Sequence, residues 1–308
     1  MSDASTGDPR AGPLQAGPHP LAEPPAVPGE RGVLLFSHAN GFPAGCYRQL
    51  FEVWRAAGWR VEAVPLFGHD PRWPVTGNWI RLRDELIHHA DALRPAGPLV
   101  LVGHSMGGYL SLMAACKRPD LARAVVLLDS PLVGGWRAHG VQVAKATRLM
   151  PRVSPGKVSA RRRQHWPSAA DCLAHYATKH VFARWAPGVL ADYIDAGTEP
   201  APEGGVRLCF RREVETRIYN TLPHHLPALL RRQPPRCPVH FIGGTQSVEV
   251  RQVGLGLTRQ VTHGVIDWID GSHLYPMERP AEAAAAVLAH LNPASSRAGT
   301  GCLHCEPT

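Results

Sequence analysis

The stretch that decides the fold is Val100-Leu101-Val102-Gly103-His104-Ser105-Met106-Gly107-Gly108. An apolar run leads into a Gly-x-Ser-x-Gly motif, and the residues that follow show a helical pattern up to position 115. This order predicts a strand, a sharp turn and a helix, with Ser105 at the apex of the turn. Glycines at 103 and 107 allow neighbouring backbone to approach closely. The turn would present the Ser105 hydroxyl at the positive end of the following helix.

Short apolar runs separated by helical patterns surround the motif and predict buried parallel strands. The runs before the pattern changes are 32–37, 60–67, 99–104 and 124–128. Such alternation favours right-handed crossovers and one parallel sheet. The alternation stops at Leu132 and resumes at Cys237, with a further strand at 264–269 and a last helix from about 276 to 291. The residues between hold helix-like stretches at 142–149, 169–185 and 187–196.

A helical insertion of about a hundred residues, placed behind a serine turn, resembles the cap of the α/β-hydrolase fold. The resemblance implies an α/β fold with a mostly parallel sheet flanked by helices and a cap inserted after the strand that ends at Asp129. It divides the chain into a core at 31–130 and 236–292 and a helical cap at 131–235. The segments 1–30, rich in Pro and Gly, and 293–308 are expected to be disordered tails.

A serine hydroxyl needs a base to take its proton, and histidine has a suitable pKa. In this fold the base lies on the loop after the last strand. Gly271-Ser272-His273-Leu274-Tyr275-Pro276-Met277-Glu278 occupies that loop, and it resembles the Gly-His-x-x-Pro-x-Glu-x-Pro stretch common in hydrolases with a cap. We therefore expect Ser105 to be the nucleophile and His273 to be its base.

The carboxylate that orients the base is the open question. The family usually supplies an Asp after the strand that follows the cap, where this chain has Thr245 and Ser247. Asp129 is the preferred acid because it ends a buried strand, where sites of open α/β sheets form. Some haloalkane-dehalogenase-like members resemble this arrangement. Glu249 is the alternative acid, and the remaining choices are Asp267, Asp270 or no acid.

The oxyanion of an acyl-transfer reaction needs backbone donors that are already aimed at it. In this fold one donor is the residue after the nucleophile, here Met106. The other lies on the loop after the first core strand. His38-Ala39-Asn40-Gly41 resembles the His-Gly oxyanion loop, with Ala39 in place of the usual Gly. This resemblance makes Asn40 the expected second donor and His38 a brace for the loop.

Serine at position 105 excludes the carboxylate nucleophile of haloalkane dehalogenases and epoxide hydrolases. The prediction is a serine hydrolase of carboxylic esters or thioesters that works through an acyl-enzyme on Ser105 and needs no cofactor or metal. Aromatic residues of the predicted cap favour a small-molecule substrate with an apolar part. The alternatives are an acyltransferase or C–C hydrolase with the same residues. A non-catalytic ligand-binding protein is also considered, because the usual Asp is missing.

Composition limits the other classes. The formal charge is +8, but the arginines are dispersed and no recognition motif for nucleic acid is present. No apolar run reaches the roughly 18 residues of a membrane span. Seven cysteines, an odd number with no framework spacing, favour a reducing compartment and a cytoplasmic location. Cys302 and Cys305 are interpreted as unpaired thiols, and the sequence does not indicate an oligomeric state.

Overall fold

The computed structural model describes residues 31–93, 97–147 and 156–291. The two expected tails, and with them Cys302 and Cys305, lie outside these residues.

Within these described ranges, nine strands form two sheets. They are β1 (Val33–Ser37), β2 (Arg60–Ala63), β3 (Leu99–His104), β4 (Ala124–Leu128), β5 (His165–Trp166), β6 (Thr198–Pro200), β7 (Val206–Leu208), β8 (Val239–Gly244) and β9 (Ile266–Ile269). The main sheet has the order β2-β1-β3-β4-β8-β9, and all its pairings are parallel. Every residue of β1, β3 and β4 is buried, because helices cover both faces of the sheet. The expected α/β class with a parallel sheet is confirmed.

One strand is shorter than expected. The apolar run at 60–67 pairs with β1 only as far as Ala63. Pro65 follows, and because proline has no N–H it cannot extend the ladder. Val64 and Phe67 are buried all the same, so the apolar run reflects burial of a loop as well as of a strand.

The α-helices of the described residues are α1 (Arg48–Ala56), α2 (Ile80–Leu93), α3 (Met106–Lys117), α4 (Gly135–Ala146), α5 (Gly156–Ser159), α6 (Ala169–Ala177), α7 (Val189–Gly197), α8 (Arg212–Asn220), α9 (Leu226–Arg232), α10 (Val248–Val253), α11 (Gly256–Val261), α12 (Tyr275–Glu278) and α13 (Pro280–Leu291). None of the helices in this part of the chain combines the length and apolarity that a bilayer span requires. In α3 every residue from Met106 to Cys116 is buried, as expected for a helix enclosed on all sides.

The turn between β3 and α3 has the geometry that the motif predicts. Ser105 has φ 52° and ψ −115°, a strained conformation for a residue with a side chain. A Cβ on Gly107 would lie 1.9 Å from the carbonyl oxygen of Ser37, and one on Gly103 would lie 2.2 Å from the backbone of Gly107. Glycine at 107 lets α3 approach β1 this closely, and glycine at 103 lets it approach the end of β3.

Residues 131–235 contribute α4 to α9 and also the second sheet, which is antiparallel with the order β5-β7-β6. The sequence predicted helices alone here. The three strands are only two or three residues long, which is too short for an alternating pattern to be recognised. Part of this segment packs on the core, where Gly45 lets the side chain of Ala196 on α7 come close.

We predict that Gly107→Ala lowers the free energy of unfolding by about 3 kcal/mol, because the added methyl overlaps the Ser37 carbonyl. Urea denaturation measures the loss. The matched control is Gly140→Ala inside α4, where a Cβ meets nothing within 4 Å. That change should be neutral or should stabilise by about 0.5–1 kcal/mol. Equal effects of the two substitutions would contradict the assignment of Gly107 to a close contact.

Candidate active site

Ser105 is held in place by the strand next to its own. Its N–H donates to the carbonyl of Leu128 at the end of β4, with the two atoms 2.9 Å apart. Its Oγ lies 3.0 Å from Nε2 of His273. This distance is within the range of a hydrogen bond between a nucleophile and its base. The two residues expected to act together are therefore in contact.

Asp129 contacts the other nitrogen of the same imidazole. Its Oδ2 is 2.6 Å from Nδ1 of His273, and the aspartate is fully buried. Since the carboxylate can only accept, Nδ1 carries the proton and Nε2 is free to accept from Ser105. The structure thus brings Ser105, His273 and Asp129 into one hydrogen-bonded series.

Ser247, which stands after β8 where the family usually has an Asp, contacts the carboxylate of Asp129. Its hydroxyl, which is almost fully buried, donates to Asp129 Oδ2 at 2.6 Å. The hydroxyl oxygen of Ser247 also accepts from the N–H of Val250, so Ser247 caps the N-terminus of α10. The backbone N–H of Gly244 donates to Asp129 Oδ1 at 2.7 Å. The residue at the usual acid position therefore supports the carboxylate on β4.

The other candidate acids lie elsewhere or further away. Glu249 Oε2 is 3.8 Å from Nδ1 of His273, and its side chain is 47% exposed. Asp267 pairs with His290 at 2.6 Å. Asp270 accepts hydrogen bonds from Thr245 and Gln246 at the surface. Of the four carboxylates, Asp129 is the one at hydrogen-bond distance from the imidazole.

The two carboxylates change the proton affinity of His273. Burial lowers the pKa of its imidazole, but the hydrogen bond and charge of Asp129, with the charge of Glu249, outweigh burial and raise the pKa above its ordinary value of 6.5. By contrast, burial lowers the pKa of His104 to about 3 and that of His38 to about 4. Of these three imidazoles, that of His273 is the one whose pKa is raised.

Met106 and Asn40, the expected oxyanion donors, both line the cavity beside Ser105. Met106 is the first residue of α3, where backbone N–H groups have no helical partner. The side-chain amide of Asn40 donates to the carbonyl of Glu215 at 3.1 Å, and Glu215 pairs with Arg162 at 2.9 Å. The loop that carries Asn40 is thus braced by the 131–235 segment.

His38 braces the same loop from below. Its Nε2 accepts the N–H of Phe67 at 3.0 Å, so its Nδ1 carries the proton and donates to the carbonyl of Ala39 at 2.8 Å. Neither nitrogen faces Ser105. The structure agrees with the interpretation of His38 as a positioning residue.

A second polar series was missed by the sequence analysis. His104 Nε2 donates to the carbonyl of His273 at 2.8 Å, which leaves Nδ1 to accept from the hydroxyl of Tyr47 at 2.7 Å. The Tyr47 hydroxyl in turn accepts the N–H of Ala39 at 3.2 Å. This series joins the Asn40 loop to the His273 loop. No local pattern indicates it, because the two side chains and two backbone groups meet only in the folded chain.

The cavity at this site has a volume of about 270 Å³. Its walls come from both parts of the chain. The core supplies Trp79 and Tyr109, and the 131–235 segment supplies Val133, Ile218, Tyr219 and Leu222. A mostly apolar wall with a few polar groups at one point is typical of a small-molecule site.

Asp129, Glu249 and His273 are also the one place in the described ranges where three metal-ligating side chains converge. Asp129 and His273 already bond to each other there, and Asp129 accepts two further hydrogen bonds. These hydrogen bonds are sufficient to explain why Asp129 and His273 lie close together.

A model of the alpha/beta hydrolase family matches residues 34–287, which is most of the chain. The chain belongs to this family. As an alpha/beta hydrolase it is similar to the monoglyceride lipase of Rattus norvegicus, with 26% identity over 141 residues, 42% of this chain and 46% of the relative. It is also similar to a probable esterase of Oryza sativa subsp. indica, with 32% identity over 125 residues, 39% of this chain and 46% of the relative. Each match spans less than half the length of the relative.

Solved structures resemble this chain over most of its length. A thioesterase domain from the curacin biosynthetic pathway has a TM-score of 0.65 and 21% identity, and the match covers 85% of this chain and 92% of that chain. E-2-(acetamidomethylene)succinate hydrolase has a TM-score of 0.64 and 21% identity, with 85% and 91% covered. At these identities the likeness shows the fold alone.

We predict that Glu249→Gln lowers the pKa of His273, because one of the negative charges that favour the imidazolium is removed. Histidine titration by NMR measures the shift, and high salt should reduce the difference because Glu249 is half exposed. His104 serves as the internal control, since its pKa of about 3 keeps it neutral throughout the titration. A pKa of His273 that is unchanged or higher in the variant would contradict the prediction.

Proposed function

We propose that this alpha/beta hydrolase cleaves carboxylic esters or thioesters through an acyl-enzyme on Ser105. The observation that carries the proposal is the hydrogen-bonded series from Ser105 Oγ through His273 to Asp129 Oδ2, with distances of 3.0 and 2.6 Å. A nucleophile, a base and an orienting carboxylate in this order are the requirements of acyl transfer. The non-catalytic alternative is considered because an Asp is missing after β8. The contact between Asp129 and His273 at 2.6 Å supports the catalytic proposal over that alternative.

In the first half-reaction His273 Nε2 takes the proton of the Ser105 hydroxyl while Oγ bonds to the carbonyl carbon of the substrate. The resulting oxyanion would be held by the N–H groups of Met106 and Asn40. His273 then gives its proton to the leaving alcohol or thiol, while the bond between the carbonyl carbon and the leaving oxygen or sulfur breaks. Water repeats these steps on the acyl-enzyme, which releases the acid and restores Ser105.

Asp129 has the role of the orienting acid in this proposal, and Glu249 adds a weaker charge from the surface. We also propose that residues 131–235 form the cap. Its support is that Ile218, Tyr219 and Leu222 line the cavity at Ser105. The names of the relatives, a monoglyceride lipase and a probable esterase, favour an ester with an apolar part as the substrate.

A reducing, cytoplasmic location remains part of the proposal. The described cysteines that can be assigned are free thiols, namely Cys46, Cys116, Cys172, Cys209 and Cys237, which agrees with a reducing compartment.

Ser105→Ala should abolish both hydrolysis of p-nitrophenyl esters and labelling by a fluorophosphonate probe, because no other group takes the place of Oγ. The measurements are release of p-nitrophenol and gel fluorescence of the labelled chain. Ser130→Ala is the matched control: this buried serine neighbours the site but its hydroxyl donates to the carbonyl of Leu128. A wild-type protein that resists the probe and every ester tested would overturn the proposed function.

The two acids are separated by their isosteric amides. Asp129→Asn should lower kcat by roughly 10³–10⁴-fold, because the amide favours the wrong tautomer of the imidazole. Glu249→Gln should leave kcat at high pH within about threefold, since a half-exposed charge acts weakly. Its acid limb should move to lower pH, because His273 must be neutral to act as the base and the substitution lowers its pKa. The reverse ranking of the two variants would assign the acid role to Glu249.

A further inference from the structure

The cavity beside Ser105 is bounded by a tryptophan in a strained backbone. Trp79 has φ 57° and the preceding Asn78 has φ 61°. The left-handed region is unusual for a bulky aromatic residue. Such strain costs free energy and persists only where the surroundings hold it, which happens most often at functional sites.

Asn78 is held by the segment that follows the core. Its N–H donates to the carbonyl of Thr221 at 2.9 Å. Its side-chain Oδ1 accepts from Lys145 Nζ at 3.0 Å and from the N–H of His224 at 3.2 Å. These bonds join the strained turn to α4 and to the loop after α8. The position of Trp79 is thereby fixed from several directions.

The conformation places an apolar wall in the cavity. The indole N–H of Trp79 donates to the carbonyl of Ile218 at 2.9 Å, and its ring packs edge-on against Tyr109 at 5.7 Å. The Tyr109 hydroxyl donates to the carbonyl of Pro131 at 2.6 Å and accepts the N–H of Val133 at 2.8 Å. The polar atoms of both aromatic side chains are therefore hydrogen-bonded to backbone groups. The apolar parts of the two rings line the cavity.

In the part of the chain that the structure describes, the cavity has no cationic side chain in its lining other than the base His273. Among the described residues that line it, Asp129 and Glu249 are carboxylates, His273 is the base, and there is no Lys or Arg. An anionic group carried into this cavity would lose its hydration without gaining a counter-charge. The cavity therefore disfavours substrates that carry an anionic group into it.

The sheet order indicates which part of the substrate meets Trp79. His273 follows β9 and Trp79 follows β2, the strands at opposite edges, while Ser105 follows β3 between them. Under the proposed function, on which this step rests, His273 protonates the leaving group. The leaving group then lies on the His273 side of Ser105, and the acyl chain extends to the Trp79 side.

We propose that Trp79 is the specificity-determining end wall of an acyl pocket and that the substrate is an uncharged ester or thioester with a short apolar acyl chain. The cavity of about 270 Å³ is slightly smaller than the range of roughly 300–1,000 Å³ usual for small-molecule sites. We therefore expect it to accept the reacting ester group with an acyl chain of roughly four to six carbons. Longer chains would run into the indole of Trp79.

The test measures kcat/KM for p-nitrophenyl esters from acetate to dodecanoate. For the wild type, kcat/KM should rise about threefold per added methylene to a maximum at butanoate or hexanoate, and fall at least about tenfold by decanoate. Trp79→Ala should move the maximum at least about two carbons higher, because the space of the indole is opened. Trp73→Ala is the control: this tryptophan packs on Arg81, with 5.1 Å from the guanidinium carbon to the ring centre, and does not line the cavity.

A second comparison needs no variant and so does not depend on whether Trp79→Ala folds. The mono-p-nitrophenyl ester of adipate should be hydrolysed at least about tenfold more slowly than hexanoate, which has the same chain without the carboxylate. A wild-type maximum at decanoate or beyond, an unmoved maximum in Trp79→Ala, or equal rates for adipate and hexanoate would overturn the inference. In each case hydrolysis and labelling of Ser105 would leave the proposed function standing, whereas loss of both would remove it.

Discussion

The site depends on one buried carboxylate. Asp129 is fully enclosed, and a bare charge in such a place is costly unless donors surround it. Three donors do so: the backbone N–H of Gly244 at the end of β8, the hydroxyl of Ser247 in the turn that follows, and the imidazole of His273 after β9. These charge-assisted bonds fix the distances between elements far apart in sequence. The position of the imidazole over Ser105 follows from them.

Burial gives the histidines of the site different tasks. His38 and His104 are buried and make no hydrogen bond to a carboxylate, so burial lowers their pKa values to about 4 and about 3. Both remain neutral and act as fixed hydrogen-bonding groups, each with one defined tautomer. His273 is enclosed beside Asp129 and near Glu249, and its pKa is raised instead. Local charge, more than residue type, therefore decides which imidazole can carry a proton in a reaction.

Much of this arrangement could be predicted from short stretches of sequence. The turn at Ser105 and the parallel strands depend on neighbours along the chain, and His273 could be selected because its loop has a fixed place in the fold. The acid could not be settled in this way, since Ser247 stands at the usual position and only the folded chain shows that its hydroxyl faces Asp129. The contacts of Tyr47 and the strain at Trp79 were missed for the same reason: their partners are distant in sequence. The strands β5 to β7 were missed because they are too short to show a period.

Ser105 and Asp129 follow adjacent, paired strands, β3 and β4, and only α3, one short loop and β4 itself separate them along the chain. Both residues precede the whole 131–235 segment. In the arrangement usual for the family, that segment lies between the nucleophile and the acid. Here it can gain or lose residues without altering the separation of Ser105 and Asp129, and only the return of His273 has to be preserved. The 131–235 segment supplies only part of the cavity wall, so that part of the wall can change in sequence while Ser105 and Asp129 stay at the same separation.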